Sequence, residues 1–456
     1  MIYYSSLQKK FILLMKQIIL KFSVIISCFF SIQAKSQQSK DSVLLQQATL
    51  SACIQYALKH QPVIQQSLLD EAIVEKTIQT KLADWYPQLN FNYNLQHNFQ
   101  LPVAYFNGNY VATGTFNTSN IGLGATQNIF NKDILLASKT ATAVRAQSKQ
   151  NTTSNSIDVA ANVSKAFYDV LLTQKQVAVL DESIIRLQRS LKDAFSQYQA
   201  GIVDKTDYKR ATISLNNAKA QRKQTNDLIN AKYVYLKQIM GYPDSAALIL
   251  QYDSAQMEKE SFVDTLQIID YGNRIEFQQI QTQKKLQQAN LKYYKWSYLP
   301  TVAAFGNYNL GFLENDFIKT YSQSFANSNI GIQLSLPIFQ GNKRVNQIKQ
   351  AELQVKRLDW DEVLLRSKIN TQYAQALAIY KGNLANYQSL KENILLADEV
   401  YKTIRLQYTS GIKTYLDVII AEADLNTAQI NFYNALYQLL ESKVDVEKAL
   451  GKIKIN

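Results

Sequence analysis

The chain carries one stretch in two copies: Gln197-Tyr198-Gln199-Ala200-Gly201-Ile202 returns about 210 residues later as Gln407-Tyr408-Thr409-Ser410-Gly411-Ile412. The positions beyond each copy also match, and they are Asp207, Ala211, Leu215, Asn216 and Ala218, then Asp417, Ala421, Leu425, Asn426 and Ala428. In each copy an apolar helical pattern stops at the glycine, which can adopt the positive φ that ends a helix. The chain is therefore predicted to consist of two similar halves, each with a helical hairpin that turns at Gly201 or Gly411.

The first 36 residues have the character of a secretory signal peptide. They carry five Lys and no acidic residue around two apolar segments, and we expect cleavage after Ser36. Ile25-Ile26-Ser27-Cys28 also passes a loose lipobox pattern, so Cys28 is a candidate lipidation site. Removal of the signal leaves Cys53 alone, which excludes an internal disulfide, and it lowers the formal net charge from +13 to +8.

The rest of the composition argues against several functions. Lys and Arg are interleaved with Asp, Glu and Gln, so no clustered basic face for nucleic acid is expected. Two His and one Cys with scattered acids do not predict a metal site, and no glycine-rich loop follows a strand to bind a nucleotide. We therefore expect no cofactor and no enzymatic activity.

Two segments change from helical to alternating periodicity directly after a proline. After Pro87, Leu89, Phe91 and Tyr93 alternate with amides over about the 9 to 11 residues of a tilted membrane strand. The same change follows Pro300, and return strands are predicted at 120–129 and 328–337. No later segment approaches the roughly 20 apolar residues of a membrane-spanning helix, so any crossing must use strands. A half-buried soluble sheet would alternate in the same way, but no amphipathic helix is left over to cover it.

Long uninterrupted helices are predicted between these strands and the glycine turns. Residues 132–199 contain neither Pro nor Gly, and residues 343–407 contain Gly382 as their one interruption. A helix of about 68 residues is on the order of 100 Å long, and its heptad-like apolar spacing requires a packed partner helix. The remaining helices, including one at 49–83, reach roughly half this length. Two of them stacked end to end would lie beside each long helix.

These patterns define an order of segments along the chain. They are a signal peptide (1–36), the N-terminal helix of repeat 1 (37–84), a first β-hairpin (85–130), helical hairpin 1 (131–241), an irregular equatorial segment (242–266), the helix of repeat 2 (267–298), a second β-hairpin (299–339), and helical hairpin 2 with the C-terminal end (340–456).

Four strands cannot close a barrel, and every backbone group in hydrocarbon must be paired, so several chains must share one barrel. Two chains would give eight strands, with an interior filled by side chains. Three chains would give twelve strands, which leave room for an open lumen.

Duplicated strand hairpins on long helices resemble the TolC-like outer-membrane efflux channel family. The residues that carry the likeness are Ala57-Leu58 with Gln61-Pro62, Tyr86-Pro87, Leu299-Pro300, Leu336-Pro337-Ile338-Phe339 and both Tyr-x-x-Gly-Ile turns. The first half departs at Asn128-Ile129-Phe130, which lacks the proline of its counterpart. The resemblance implies a mainly α fold with a β-barrel portion: a homotrimer with one shared twelve-stranded barrel in outer-membrane lipid and a helical tunnel across the periplasm.

The resemblance also implies an aperture where the tunnel narrows at the glycine turns. Asp207, Tyr408, Lys413 and Asp417 match positions that the family uses to hold and line this aperture, while Ile420 stands where a further acidic residue is found. A simpler interpretation of Asp417 is also open, because Thr414-x-x-Asp417 matches a helix capping box.

The function implied by the resemblance is a passive exit duct of a tripartite efflux or type I secretion system. Its partners would be a periplasmic adaptor protein and an inner-membrane pump. The alternative is a periplasmic coiled-coil adaptor or scaffold without a pore. Such an adaptor carries a compact β-rich module between the arms of one hairpin, whereas this chain has two strand pairs.

Overall fold

The computed structural model describes residues 45, 48–251 and 254–455. The predicted signal peptide and Cys28 lie outside the described residues. The described chain is mainly helical and contains a four-stranded antiparallel sheet, which confirms the predicted fold class. None of the described helices is both long enough and apolar enough to span a lipid bilayer.

The helices and strands follow one another in two similar halves. The helices are α1 (Leu50–His60), α2 (Pro62–Ala83), α3 (Lys132–Gln199), α4 (Lys205–Met240), α5 (Ser254–Glu260), α6 (Ile275–Lys295), α7 (Lys343–Thr409) and α8 (Tyr415–Ala449). The strands are β1 (Gln88–His97), β2 (Val103–Phe106), β3 (Asn109–Ala112), β4 (Asn117–Phe130), β5 (Thr301–Glu314) and β6 (Ser324–Ser335). The long helices α3 and α7 occupy the intervals in which the sequence predicted them.

Two predicted helices differ from the observed ones. The single helix expected over 49–83 is two helices, because Gln61 precedes Pro62 and adopts the extended backbone that a following proline favours. The helix expected from residue 267 begins later, since the Asp270 side chain caps a 3₁₀ turn at Tyr271–Asn273 and α6 starts at Ile275. Both differences lie where one helix meets the end of another.

The half-length helices are stacked end to end at two equivalent glycines. Gly241, at the end of α4, has a φ of 67°, and a Cβ there would lie 2.6 Å from the backbone oxygen of His60. Gly451, beyond α8, has a φ of 70°, and a Cβ there would lie 2.5 Å from the backbone oxygen of Asn273. Glycine is therefore required twice for the same close approach of one helix end to the next.

An irregular segment after Tyr242 packs against the middle of α7. The hydroxyl of the fully buried Tyr380 donates to the backbone oxygen of Ser261 (3.0 Å) and accepts from the amide of Val263 (2.9 Å). Tyr373 donates to the backbone oxygen of Gln267 (2.8 Å). These hydrogen bonds hold the segment at mid-height along the long helix.

The sheet has the strand order β1-β4-β5-β6, so β1 and β6 are its edges. Between the two halves, β4 pairs with β5, with a register shift between Asn128 and Phe130. This bulge, followed by Asn131 as the N-cap of α3, ends β4 without the proline of its counterpart.

The two faces of the sheet differ in chemistry. One face carries apolar side chains that lie largely exposed in the single chain, such as Leu89 (80%), Phe91 (65%), Ile330 (90%) and Ile332 (71%). The other face carries mainly Asn, Gln, Gly and Thr, together with Phe305, Phe325 and Leu313. Because no described helix covers the apolar face, the sheet does not have the cover that a soluble half-buried sheet requires.

A short hairpin of β2 and β3 stands between β1 and β4, within the segment predicted as the first β-hairpin (85–130). Its turn, Asn107-Gly108, has positive φ at both residues (47° and 84°). This is the conformation that two-residue β-hairpins favour and that Asn-Gly supplies.

The contact between α6 and α7 predicts a measurable pH dependence. Lys284 and Arg366 each lie 2.9 Å from the Glu362 carboxylate, and they lower its pKa from 4.5 to about 2. Because the folded pKa is depressed, the stabilisation is present above about pH 4.5 and is lost as the pH falls from about 4.5 towards 2. We expect Glu362→Gln to lower the melting temperature at about pH 7 and to lose this effect towards pH 2. A melting-temperature difference that is constant over this range would contradict the assignment.

Candidate functional site

The two glycine turns have the same backbone geometry. Gly201 and Gly411 have φ values of 73° and 76°, and each donates to the oxygen of the tyrosine three residues before it (3.0 Å). The following isoleucines, Ile202 and Ile412, donate at 2.9 Å to the oxygen of the glutamine five residues before them. These are the paired hydrogen bonds of a helix that ends at a left-handed glycine.

The helices that leave the turns are capped differently. Asp417 and Thr414 form a complete capping box: the Thr414 amide (2.9 Å) and hydroxyl (2.8 Å) donate to the Asp417 carboxylate, and the Asp417 amide donates back to the hydroxyl (3.4 Å). These hydrogen bonds, with the nearby charge of Lys413, lower the pKa of Asp417. In the first turn Asp204 caps α4 by accepting from the Thr206 amide (2.7 Å).

Asp207 occupies the position in the first turn that Asp417 occupies in the second, but its carboxylate is not used for capping. Among the described residues, the Asp207 carboxylate has no hydrogen bond and no ion pair. It is half-buried, and its negative charge contributes to the raised pKa of Tyr408 and of Tyr415. Asp207 is therefore a carboxylate held near the second repeat without a structural partner of its own.

Tyr408 joins the two repeats at the turns. Its hydroxyl donates to Oε1 of Gln197 (2.8 Å), and its ring centroid lies 5.8 Å from that of Tyr415. Burial is the main reason for the raised pKa of Tyr408. A neutral hydrogen bond of this kind contributes about 1 kcal/mol, so it links the repeats weakly.

Tyr415 is the centre of a small core between the repeats. It is 2% exposed and packs with Ala194 and Ala211 from the first repeat. Burial raises the pKa of its hydroxyl, and within the described chain that hydroxyl has no hydrogen-bond partner. An unsatisfied buried hydroxyl costs roughly 1 to 3 kcal/mol, which lowers the stability of this packing.

A buried ion pair links the repeats further from the turns. Nε of Arg186 on α3 lies 3.0 Å from each carboxylate oxygen of Glu422 on α8, and Ser183 donates to Oε1 of Glu422 (2.9 Å). The side chains of Arg186 and Glu422 are 18% and 6% exposed. The two repeats are thus more strongly bonded at this level than at the glycine turns.

The sequence prediction placed four residues at an aperture. The structure brings Tyr408 and Asp207 within electrostatic reach of each other, and Lys413 near Asp417. Lys413 is exposed at the turn, and no ion pair to it is found in the described chain. The prediction missed Gln197, Tyr415 and the Arg186–Glu422 pair. Glu422 directly follows Ala421 in the apolar seam of Val418, Ala421 and Leu425. A charged residue at that position was the one sequence signal that it has a buried partner.

Comparison with known families matches the one described as "Outer membrane efflux protein" over residues 53–242 and 272–452. The chain belongs to the outer membrane efflux protein family. It is 23% identical over 430 residues to "Outer membrane protein TolC" of Escherichia coli (strain K12), covering 90% of this chain and 84% of that one. It is 20% identical over 411 residues to "Alkaline protease secretion protein AprF" of Pseudomonas aeruginosa, covering 87% and 82%. The outer membrane protein VceC from Vibrio cholerae has the same fold, with a TM-score of 0.70 at 14% identity, covering 88% and 96%.

Membership in the family confirms the resemblance drawn from the duplicated turns. This efflux protein is an outer-membrane channel protein, with its strands as the barrel portion and its helices as the periplasmic portion. The alternative of a periplasmic adaptor or scaffold without a pore is wrong. The family is one of transport ducts, which work with an adaptor and an inner-membrane pump.

Proposed function

We propose that three copies of this chain form one passive exit duct, with a shared twelve-stranded barrel in the outer membrane and a gate at the glycine turns. The supporting observation is the sheet itself. Its edge strands β1 and β6 each pair with one neighbour within the described chain, and its apolar face is uncovered. Both features are resolved if β1 of one copy pairs with β6 of the next and the apolar face meets lipid.

The proposed gate consists of the turns at Gly201 and Gly411 with Asp207, Tyr408, Lys413 and Asp417. Three symmetric copies of the Asp207 carboxylate would attract cations to the narrowest part of the duct. The capping role of Asp417 makes it the less direct contributor. Opening would separate the turns of the two repeats, where a neutral hydrogen bond and a core with an unsatisfied hydroxyl are the contacts to be broken.

The duct has no catalytic role in this proposal and no energy source of its own. A periplasmic adaptor and an inner-membrane pump would open it and supply the cargo. The cargo would be small toxic compounds, as in efflux, or secreted polypeptides. The relative named as a protease secretion protein supports the second class, and the family name supports the first.

Planar bilayer recordings test both the duct and the gate. We expect a detergent-solubilised complex of three mature chains, heat-modifiable on gels, that forms ion-conducting pores. Asp207→Asn should reduce the cation preference severalfold, and Lys413→Gln should increase it, because each removes one charge per copy near the axis. Asp227→Asn, on the exposed surface of α4, is the matched control and should change neither the conductance nor the cation preference.

Two results would contradict the proposal in different ways. A monomer that stays soluble without detergent and forms no pores would exclude the shared barrel. Pores whose conductance and ion preference are the same in the Asp207 and Lys413 variants as in the unsubstituted protein would exclude the gate assignment alone.

A further inference from the structure

The polar face of the sheet carries an ordered arrangement of amides that the gate does not explain. Two rows in register cross all four strands. They are Asn90, Gly124, Asn307 and Asn329, and, one step further along, Asn92, Gly122, Asn309 and Asn327. Each row therefore has an amide on β1, a glycine on β4, and amides on β5 and β6. We refer to these eight residues as the amide band.

The amides of β5 and β6 are bonded to each other in both rows. Nδ2 of Asn307 donates to Oδ1 of Asn329 (3.0 Å), and Nδ2 of Asn309 donates to Oδ1 of Asn327 (3.2 Å). Each amide group carries both donors and acceptors, so groups remain available to a solute after these bonds are made. The side chains are thus oriented within the band.

The glycines of β4 provide the space into which the β5 amides lean. A Cβ at Gly122 would lie 2.5 Å from Oδ1 of Asn309, and one at Gly124 would lie 3.1 Å from Oδ1 of Asn307. Neither glycine has a positive φ, so backbone conformation does not require them. Glycine at these two positions instead leaves room for the side chains of Asn309 and Asn307.

The face that carries the band has no ionisable side chain. In β1, β4, β5 and β6, all of whose residues are described, the ionisable side chains outside the tyrosines are His97 and Glu314. Both are in register with Asn117 at one end of the sheet, on the alternate positions that include Tyr93 and Ile121. The face is therefore uncharged, and the amide band is its polar part, since Phe305, Phe325 and Leu313 lie on the same face outside the two rows.

We propose that the amide band lines the lumen of the assembled barrel as an uncharged, hydrogen-bonding segment that admits ions of either sign and neutral polar solutes. This inference rests on the proposed shared barrel. Because the barrel segment carries no charge on its polar face, the charge preference of the whole duct arises in its helical portion. A charge placed in the band would add a selectivity that the native lumen does not have.

Cysteine modification in planar bilayers tests the assignment. The Asn309→Cys variant of the whole protein would be reconstituted as a conducting pore. It would then be treated with a negatively charged, membrane-impermeant methanethiosulfonate reagent. We expect the cation-to-anion permeability ratio to rise by about threefold or more, because up to three fixed charges would enter the lumen. Leu310→Cys, the next residue on the opposite face, is the matched control and should not respond. The unsubstituted chain is the blank, since Cys53 is buried.

The results at positions 309 and 310 decide whether the amide band lines the lumen. A response at position 310 instead of 309, or pores that respond at neither position, would overturn the band as a lumen lining while leaving the duct intact. If Asn309→Cys fails to assemble, Asn329→Cys places the thiol on the exposed hydrogen-bonding partner of the other row and must give the same shift. An unsubstituted protein that forms no pores would overturn the shared barrel, and the band's role with it.

Discussion

Replacing Glu422 with Gln is expected to lower the free energy of unfolding by about 3 kcal/mol. The substitution keeps the shape of the side chain but leaves the Arg186 guanidinium, 18% exposed, without the carboxylate to which its Nε donates. Removing one member of a buried ion pair typically costs about 3 to 5 kcal/mol. The lower end applies because Glu182 lies 3.8 Å from Arg186 and partly compensates for the loss.

A double substitution distinguishes the cost of leaving the Arg186 charge unpaired from the cost of lost packing. Arg186→Met with Glu422→Leu removes both charges while filling a similar volume, so most of the lost stability should return. Asp227→Asn breaks an exposed pair with Lys223 and should cost about 0.5 kcal/mol or less. The measurement is chemical unfolding of the detergent-solubilised protein, followed by its helical circular dichroism. A double variant that is less stable than either single variant would show that the attraction itself dominates.

Replacing Gly451 with Ala is expected to be the second large effect. A non-glycine residue in the left-handed region costs about 1 to 2 kcal/mol. The Cβ would also lie 2.5 Å from the backbone oxygen of Asn273, so the end of α8 and the turn before α6 must separate. Overpacking of this kind adds about 1 to 3 kcal/mol.

Gly411→Ala is the matched control for Gly451→Ala. The two glycines have φ values of 76° and 70°, but no atom lies within 4 Å of a Cβ added at Gly411. The difference between the melting temperatures of the two variants therefore measures the contribution of the end-to-end helix contact. Gly241→Ala against Gly201→Ala repeats the comparison in the first half. Equal losses within each pair would mean that the stacked ends are not held in close contact.

The predictable parts of the fold were those that depend on local sequence. The long helix α3 fills the predicted interval 132–199, because no Pro or Gly in that interval interrupts a helix. The turns at Gly201 and Gly411 could be predicted because glycine readily adopts a positive φ and because the motif occurs twice. The alternation after Pro87 and Pro300 located the strands, since the period of two is a property of the strand itself.

The parts that could not be predicted depend on contacts between distant segments. The contact of Gly241, at the end of α4, with the backbone of His60 joins positions about 180 residues apart. The partners of Tyr408 and Glu422 lie on the other repeat, so their roles need the tertiary structure. The β2–β3 hairpin is different, because the Asn107-Gly108 signal was present in the sequence and was not used.

The open sheet edges have a consequence for biogenesis. A single copy presents two edge strands of 10 and 12 residues whose outer backbone groups are unpaired within the described chain, next to an exposed apolar face. Such edges can pair with any extended chain, so closure of the proposed shared barrel would compete with aggregation. In the proposed trimer, the yield would therefore depend on how quickly three copies meet in the membrane, and slow synthesis would favour the folded product.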